Sequence, residues 1–133
     1  MNTVFLDTVG LLALWDSSDQ WHEAAEKAFR QLTETRSAFC TTTFVLLECG
    51  NAAARRPYRP AVDRLRERLE SGGMLISPGD EDWRRAWAAY RDGQVGDAGI
   101  VDHVSFTVMR RLDIRYAFTN DHHFRTAGFE ALF

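Results

Sequence analysis

Four short runs of strand-forming residues punctuate the chain: TVFLD at 3–7, SAFCT at 37–41, MLIS at 74–77 and RYAFT at 115–119. Each is separated from the next by at least one stretch of helical periodicity. This alternation constrains the fold most. Parallel strands need long crossovers, and helices supply them. The expected architecture is a three-layer α/β/α sandwich around a mostly parallel sheet of four to five strands, with FEALF at the end as a short edge strand. Within the intervening stretches, VGLLALWD reads as an apolar helix. A second helix is expected over roughly residues 19–35, capped by the SSD at 17–19, with Ala24, Ala25, Ala28, Phe29 and Leu32 at helical spacing. A helix from about Thr43 carries Phe44, Leu47, Glu48 and Asn51. The prolines of RRPYRP end it, and VDRLRERLESGG follows as a charged amphipathic helix. Asp80 to Asp92 is expected to be helical with Trp83, Trp87 and Tyr90 inward, and Ile100 to Leu112 forms another helix after the loop GQVGDAG.

A chain of 133 residues with 45% hydrophobic content suits one domain, expected to span 1–133. No apolar run reaches the length of a membrane span. The apolar start, MNTVFLDTVGLLALW, lacks a basic region and contains Asp7, so it does not read as a secretory signal. Cys40 and Cys49 form no metal-type spacing and read as reduced thiols of a cytoplasmic protein. The net charge of −3 argues against a surface coated in positive charge for nucleic acid, yet leaves room for an acidic site with a local basic rim. Of the sixteen basic residues only Lys27 is lysine. Arginine suits phosphate contacts, and Arg55, Arg56, Arg59, Arg110, Arg111 and Arg125 are candidates, although codon preference explains the bias equally well.

In open parallel sheets ligands gather beyond the carboxyl ends of the strands. Asp7 follows the first strand and Asp121 follows the fourth. Glu48 sits in the apolar stretch TTFVLLECGNAAA, where a lone charge is costly unless paired or liganded. Asp102 lies in the first turn of an apolar helix. Each has an ordinary alternative: a helix cap for Asp7, a solvated face for Glu48, a dipole partner for Asp102 and a turn for Asp121. Together, four carboxylates on one sheet edge would raise one another's pKa values, and a hard divalent cation such as Mg²⁺ or Mn²⁺ would relieve that. Such sites hydrolyse phosphodiesters. His122 and His123 have no HExxH or CxxC partners and read as bystanders in a turn. His22 reads as structural, His103 as exposed, and Asp92 as peripheral. Asp97, in the glycine-rich loop, is a less rigid alternative to Asp102 as a ligand.

The segments FLDT, LLECGN, IVDHVSFTVMRRLDI and AFTNDHHFRTAGF, in this order and spacing, resemble the PIN-domain ribonucleases. They resemble in particular the VapC-like toxins of bacterial toxin–antitoxin pairs, along essentially the whole chain. The resemblance implies Mg²⁺- or Mn²⁺-dependent cleavage of RNA by a metal-activated water, leaving a 5′-phosphate and a 3′-hydroxyl. It implies that Asp7, Glu48 and Asp102 hold the metal, that Asp121 helps place a second metal or its waters, and that Thr8, Asn51 and Asn120 lie in supporting positions. It implies a tRNA or rRNA loop as substrate, a cognate antitoxin as partner, and a homodimer. An aspartyl-phosphate phosphatase would need an acid where Val9 stands. A receiver domain would need a lysine after a late strand. The remaining alternatives are a PIN-like binding module without activity and a DNA- or structure-specific nuclease of the same fold.

Overall fold

The computed structural model describes residues 2–133. Its strands are β1 (Thr3–Leu6), β2 (Ala38–Thr42), β3 (Leu75–Ile76), β4 (Tyr116–Phe118) and β5 (Glu130–Ala131). Its helices are α1 (Thr8–Trp15), α2 (His22–Glu34), α3 (Thr43–Ala53), α4 (Arg59–Ser71), α5 (Asp80–Arg91), α6 (Ile100–Arg111) and α7 (His122–Thr126). The five strands form one sheet in the order β3-β2-β1-β4-β5, and every pairing is parallel. The steps from β1 to β3 and from β3 to β5 run in opposite directions along that sheet. With right-handed crossovers, the two sets of connecting helices cover opposite faces. The result is the three-layer α/β/α sandwich, and its switch point lies between β1 and β4.

Burial follows from this order. A central parallel strand is covered on both sides, and Val4, Phe5 and Leu6 of β1 are all inaccessible to solvent. Phe106 of α6, Phe118 of β4 and Phe124 of α7 fill the core beside them. Cys40 and Cys49 are buried and unpaired, and burial pushes their thiols up to about 11 and about 12.

One backbone contact fixes α1 against β4. A Cβ added to Gly10 would clash with the Phe118 carbonyl oxygen, a backbone atom that cannot move aside. Gly10→Ala should therefore cost about 3 kcal/mol, the upper range for overpacking, measured as a fall in the urea midpoint. A variant within 0.5 kcal/mol of the parent, roughly the span of neutral surface changes, would disprove the close approach.

Two local expectations need correction. The second helix starts at His22 and is capped by no side chain. Asp19 instead closes a turn, accepting the Trp21 N–H at 2.7 Å, because an Asx turn competes with the helical start. The second correction concerns α5. Trp83, Trp87 and Tyr90 do not face inward; they are 50%, 39% and 47% exposed. The helix turns its other stripe, Asp82 and Ala86, to the interior. Small side chains there let α5 lie close against α6, and Asp82 Oδ1 and Oδ2 accept two bonds from the Arg111 guanidinium at 2.9 and 2.8 Å. Asp82 also accepts the Gly79 N–H at the start of the helix. The buried stripe thus gains a bidentate pair and a cap, while the three amphipathic rings stay half-exposed.

Candidate active site

The switch point collects the predicted acids. Asp7 leaves β1 and caps α1; Thr119 and Asp121 follow β4; Asp102 sits in the first turn of α6; Glu48 faces them from α3. Asp7 is 2% exposed, and its Oδ2 accepts the Thr119 hydroxyl at 2.8 Å and the Val9 N–H at 3.4 Å. The Thr119 oxygen in turn accepts the Asp121 N–H at 3.0 Å, so one hydroxyl ties both acids together. Asp121 Oδ1 accepts the His123 N–H at 2.9 Å, and Glu48 Oε1 accepts the Thr8 hydroxyl at 2.6 Å. Ligand atoms of Asp102, Asp121 and His123 lie within 4.8 Å of one another. Asp7 and Glu48 stand outside that tightest group.

Electrostatics couple them nonetheless. Burial first, then the charges of Asp102 and Asp121, push the Asp7 carboxyl up to about 7. Burial, then Asp121 and Glu48, push Asp102 up to about 6. Among the described residues no lysine or arginine forms an ion pair with Asp7, Glu48, Asp102 or Asp121. Each also keeps at least one carboxylate oxygen without a hydrogen-bond donor. A cluster of hard oxygens that no lysine or arginine neutralises, with free lone pairs, suits a divalent cation.

Some of the remaining side chains meet expectation and others depart from it. Glu48 is exposed, as its neighbour Leu47 is, because this face of α3 opens onto the site instead of the core. Asn51 is exposed, and neither it nor Asn120 makes a side-chain hydrogen bond among the described residues. Asp92 is exposed at the end of α5. His103 is buried, with Nε2 lacking a partner and its ring edge-on to Tyr90 and Phe106. His22 is structural: its Nδ1 lies 2.8 Å from the Ala13 carbonyl oxygen. His123 is no bystander. Its Nδ1 lies 2.8 Å from Asp121 Oδ1 and its Nε2 lies 2.7 Å from Asp97 Oδ1. These bonds, that to Asp97 first, raise its pKa above the ordinary value, and they hold Asp97 below its own. Thr119 and His123 are the two site residues that sequence reasoning missed. Both stand in the quoted TNDHH segment, and only their partners reveal them.

Four of the candidate arginines are already engaged. Arg111 is held by Asp82, and Arg110 donates to the Ala127 carbonyl while lying over the Phe129 ring. Arg125 donates to the Phe133 carbonyl and Arg59 to that of Ala54. Arg55 and Arg56 form no side-chain hydrogen bond or ion pair among the described residues.

Fold and site together define an all-parallel α/β domain with a carboxylate cluster at its switch point. A PIN domain family model matches residues 4–130, and the chain belongs to that family. The structure is similar to that of a Mycobacterium tuberculosis toxin, VapC20, described as cleaving the sarcin–ricin loop. That likeness has a TM-score of 0.80 at 23% identity and covers 96% of either chain. No curated protein matches the chain significantly. Among the described residues no helix is long and apolar enough to cross a membrane.

Proposed function

We propose that this chain is a metal-dependent endoribonuclease, the toxin of a toxin–antitoxin pair, folded as one PIN-like domain over residues 1–133 and acting in the cytoplasm. The observation that carries this reading is the carboxylate cluster: Asp7, Glu48, Asp102 and Asp121, without a lysine or arginine partner, at the ligand-binding edge of a PIN fold. Asp7, Glu48 and Asp102 would hold a Mg²⁺ or Mn²⁺ ion, and Asp121 would place a second ion or its waters. When bound, the cation acidifies a water and offsets charge that gathers on the phosphoryl oxygens. The chain's own part is to hold the carboxylates in place. Thr119 restrains Asp7, and Thr8 restrains Glu48. Asn51 and Asn120 remain uncommitted donors for water or RNA. Arg55 and Arg56 are free to meet phosphates. The substrate class is a structured RNA loop, of ribosomal or transfer RNA; likeness to a toxin that cuts a ribosomal loop supports the former.

The test is incubation of purified chain with total RNA and Mg²⁺ or Mn²⁺, beside an EDTA control, with the 5′ ends mapped. Discrete cuts that EDTA removes are expected. RNA left intact under both metals would overturn the reading in favour of a binding module without activity, and cuts confined to DNA would favour the structure-specific nuclease.

Two partner surfaces accompany this reading. The exposed stripe of α5 continues through Phe44 and Leu47 of α3, with Trp83 edge-on to Phe44 at 6.2 Å and to Trp87 at 5.8 Å. Large aromatic patches of this kind mark interfaces, and a second copy of the chain is the occupant we assign. Trp87→Glu should convert a homodimer to monomer in sedimentation velocity; a wild-type monomer would refute this assignment. The antitoxin is assigned to an apolar cleft of about 890 Å³ between α1, α2 and α4. Leu11, Trp15, Phe29 and Leu65 line it, and Arg64 and Arg68 flank it. That pairing fits an amphipathic segment bearing acids.

A further inference from the structure

We propose that His123 is a positioning residue of the carboxylate site, a clamp that ties the loop before α6 to the start of α7 and thereby sets the spacing of Asp102 and Asp121. The inference rests on the metal-site reading above and goes beyond it. Its basis is a bridge between two acids. Carboxylates only accept hydrogen bonds, so the ring donates from Nδ1 to Asp121 Oδ1 at 2.8 Å and from Nε2 to Asp97 Oδ1 at 2.7 Å. With both nitrogens engaged by carboxylates, neither is turned toward a cation. It shapes the site without ligating.

Each end of the bridge has a consequence. At Asp121, Oδ1 is held twice, by the ring and by the His123 N–H at 2.9 Å, which leaves Oδ2 as the oxygen offered to the site. At the other end, the Asp97 side chain is 94% exposed while the ring it meets is only 18% exposed. An acid so exposed has no other anchor among the described residues. The loop around it contains Gly93 and Gly96 in left-handed conformations, at φ +62° and +53°, and ordering glycines is entropically costly. Val95 and Ala98 are buried and pin the loop's underside. The Asp97–His123 bond pins its outer side. The chain then passes through Gly99, the cap of α6, and reaches Asp102 within the first turn. A change at Asp97 is thus transmitted to the only carboxylate that α6 contributes. The His122 ring lies beside the clamp, tilted by 33° with ring centres 4.2 Å apart, and is itself exposed.

The experiment compares wild type with His123→Ala, Asp97→Ala, Asp97→Asn and the Asp97→Ala/His123→Ala double variant. Two quantities are read: hydrogen exchange of the 93–99 amides in the metal-free protein, and the Kd for Mn²⁺ by calorimetry. His123→Ala should weaken Mn²⁺ binding by about tenfold or more, the usual effect of losing an orienting partner. It should also speed exchange across 93–99. Asp97→Ala should speed the same amides, and the double variant should be no worse than His123→Ala alone, because both break one bridge. Asp97→Asn keeps an acceptor for Nε2 and should stay near wild type in exchange, separating the tie from the charge. Additive effects of the two alanine variants, or His123→Ala with wild-type exchange and Kd, would overturn the clamp. A wild type that binds no Mn²⁺ would remove the metal-site reading, while the exchange pattern alone would still decide whether the clamp exists. Asp97 is exposed, so its variants keep the test available if His123→Ala misfolds.

Discussion

Asp7→Asn is expected to abolish RNA cleavage and, in the same molecule, to make the metal-free protein more stable at pH 8. The two effects have opposite signs because Asp7 is costly to the fold. It is buried beside two other acids, and that setting holds its carboxyl up at about 7. At pH 8 the fold therefore keeps an ionised group whose pKa would fall to 3.8 on unfolding. By linkage the penalty is on the order of 4 kcal/mol. Asparagine removes the charge. Its side-chain oxygen can still accept the Thr119 hydroxyl, and asparagine caps a helix as well as aspartate does. A gain of about 2–4 kcal/mol in urea unfolding at pH 8 is expected. Cleavage should fall by more than about a hundredfold, exceeding what loss of an outer partner costs at a metal site. Asp7→Asn that cuts RNA normally would remove Asp7 from the reaction. Loss of both activity and stability would make it a structural residue only.

The second large effect concerns pH. Both raised acids hold protons in the folded state that the unfolded chain releases earlier. Their stabilising contribution is complete below 3.8, and it is lost as pH rises through about 6 for Asp102 and about 7 for Asp7. The metal-free melting temperature should therefore fall as pH is raised from 5 to 8, a window of measurement set by those values. His123, raised by its carboxylate partners, contributes in the same direction. His103, held neutral by burial, contributes oppositely and weakly within its own titration range. Asp82 does not interfere, because Arg111 lowers its pKa and its pair is lost only in more acidic solution. Saturating Mn²⁺ should reverse the slope. The cation occupies oxygens that protons otherwise take, so its stabilisation grows with pH, and calorimetry in buffers of different ionisation enthalpy should show protons released on binding. A metal-free melting temperature independent of pH from 5 to 8 would contradict the packing of these carboxylates.

These two results depend on features of very different legibility. The strand runs TVFL and YAF and the helical stretches between them announce an α/β sandwich, since period and composition are local properties of a segment. The positions of Asp7 and Asp121 at strand ends are legible for the same reason, and the order of the motifs led to the PIN family. The orientation of α5 was not legible. Two stripes compete on that helix, one of Trp83, Trp87 and Tyr90, the other of Asp82 and Ala86. Hydrophobicity alone favours the aromatic one. The partner that Asp82 finds is Arg111, which stands 29 residues away and meets it only when α5 and α6 pack. The surroundings of Glu48 were likewise not legible: its neighbours in sequence are apolar, but its neighbours in space are a hydroxyl and open solvent. Thr119 and His123 look like turn residues because their value lies in partners from other elements, Asp7 across 112 residues and Asp97 across 26. Local pattern is enough to define the elements, their alternation and the acids that end them. Which face of each helix is buried and which side chains bridge depend on interactions between segments, and no local pattern encodes their geometry.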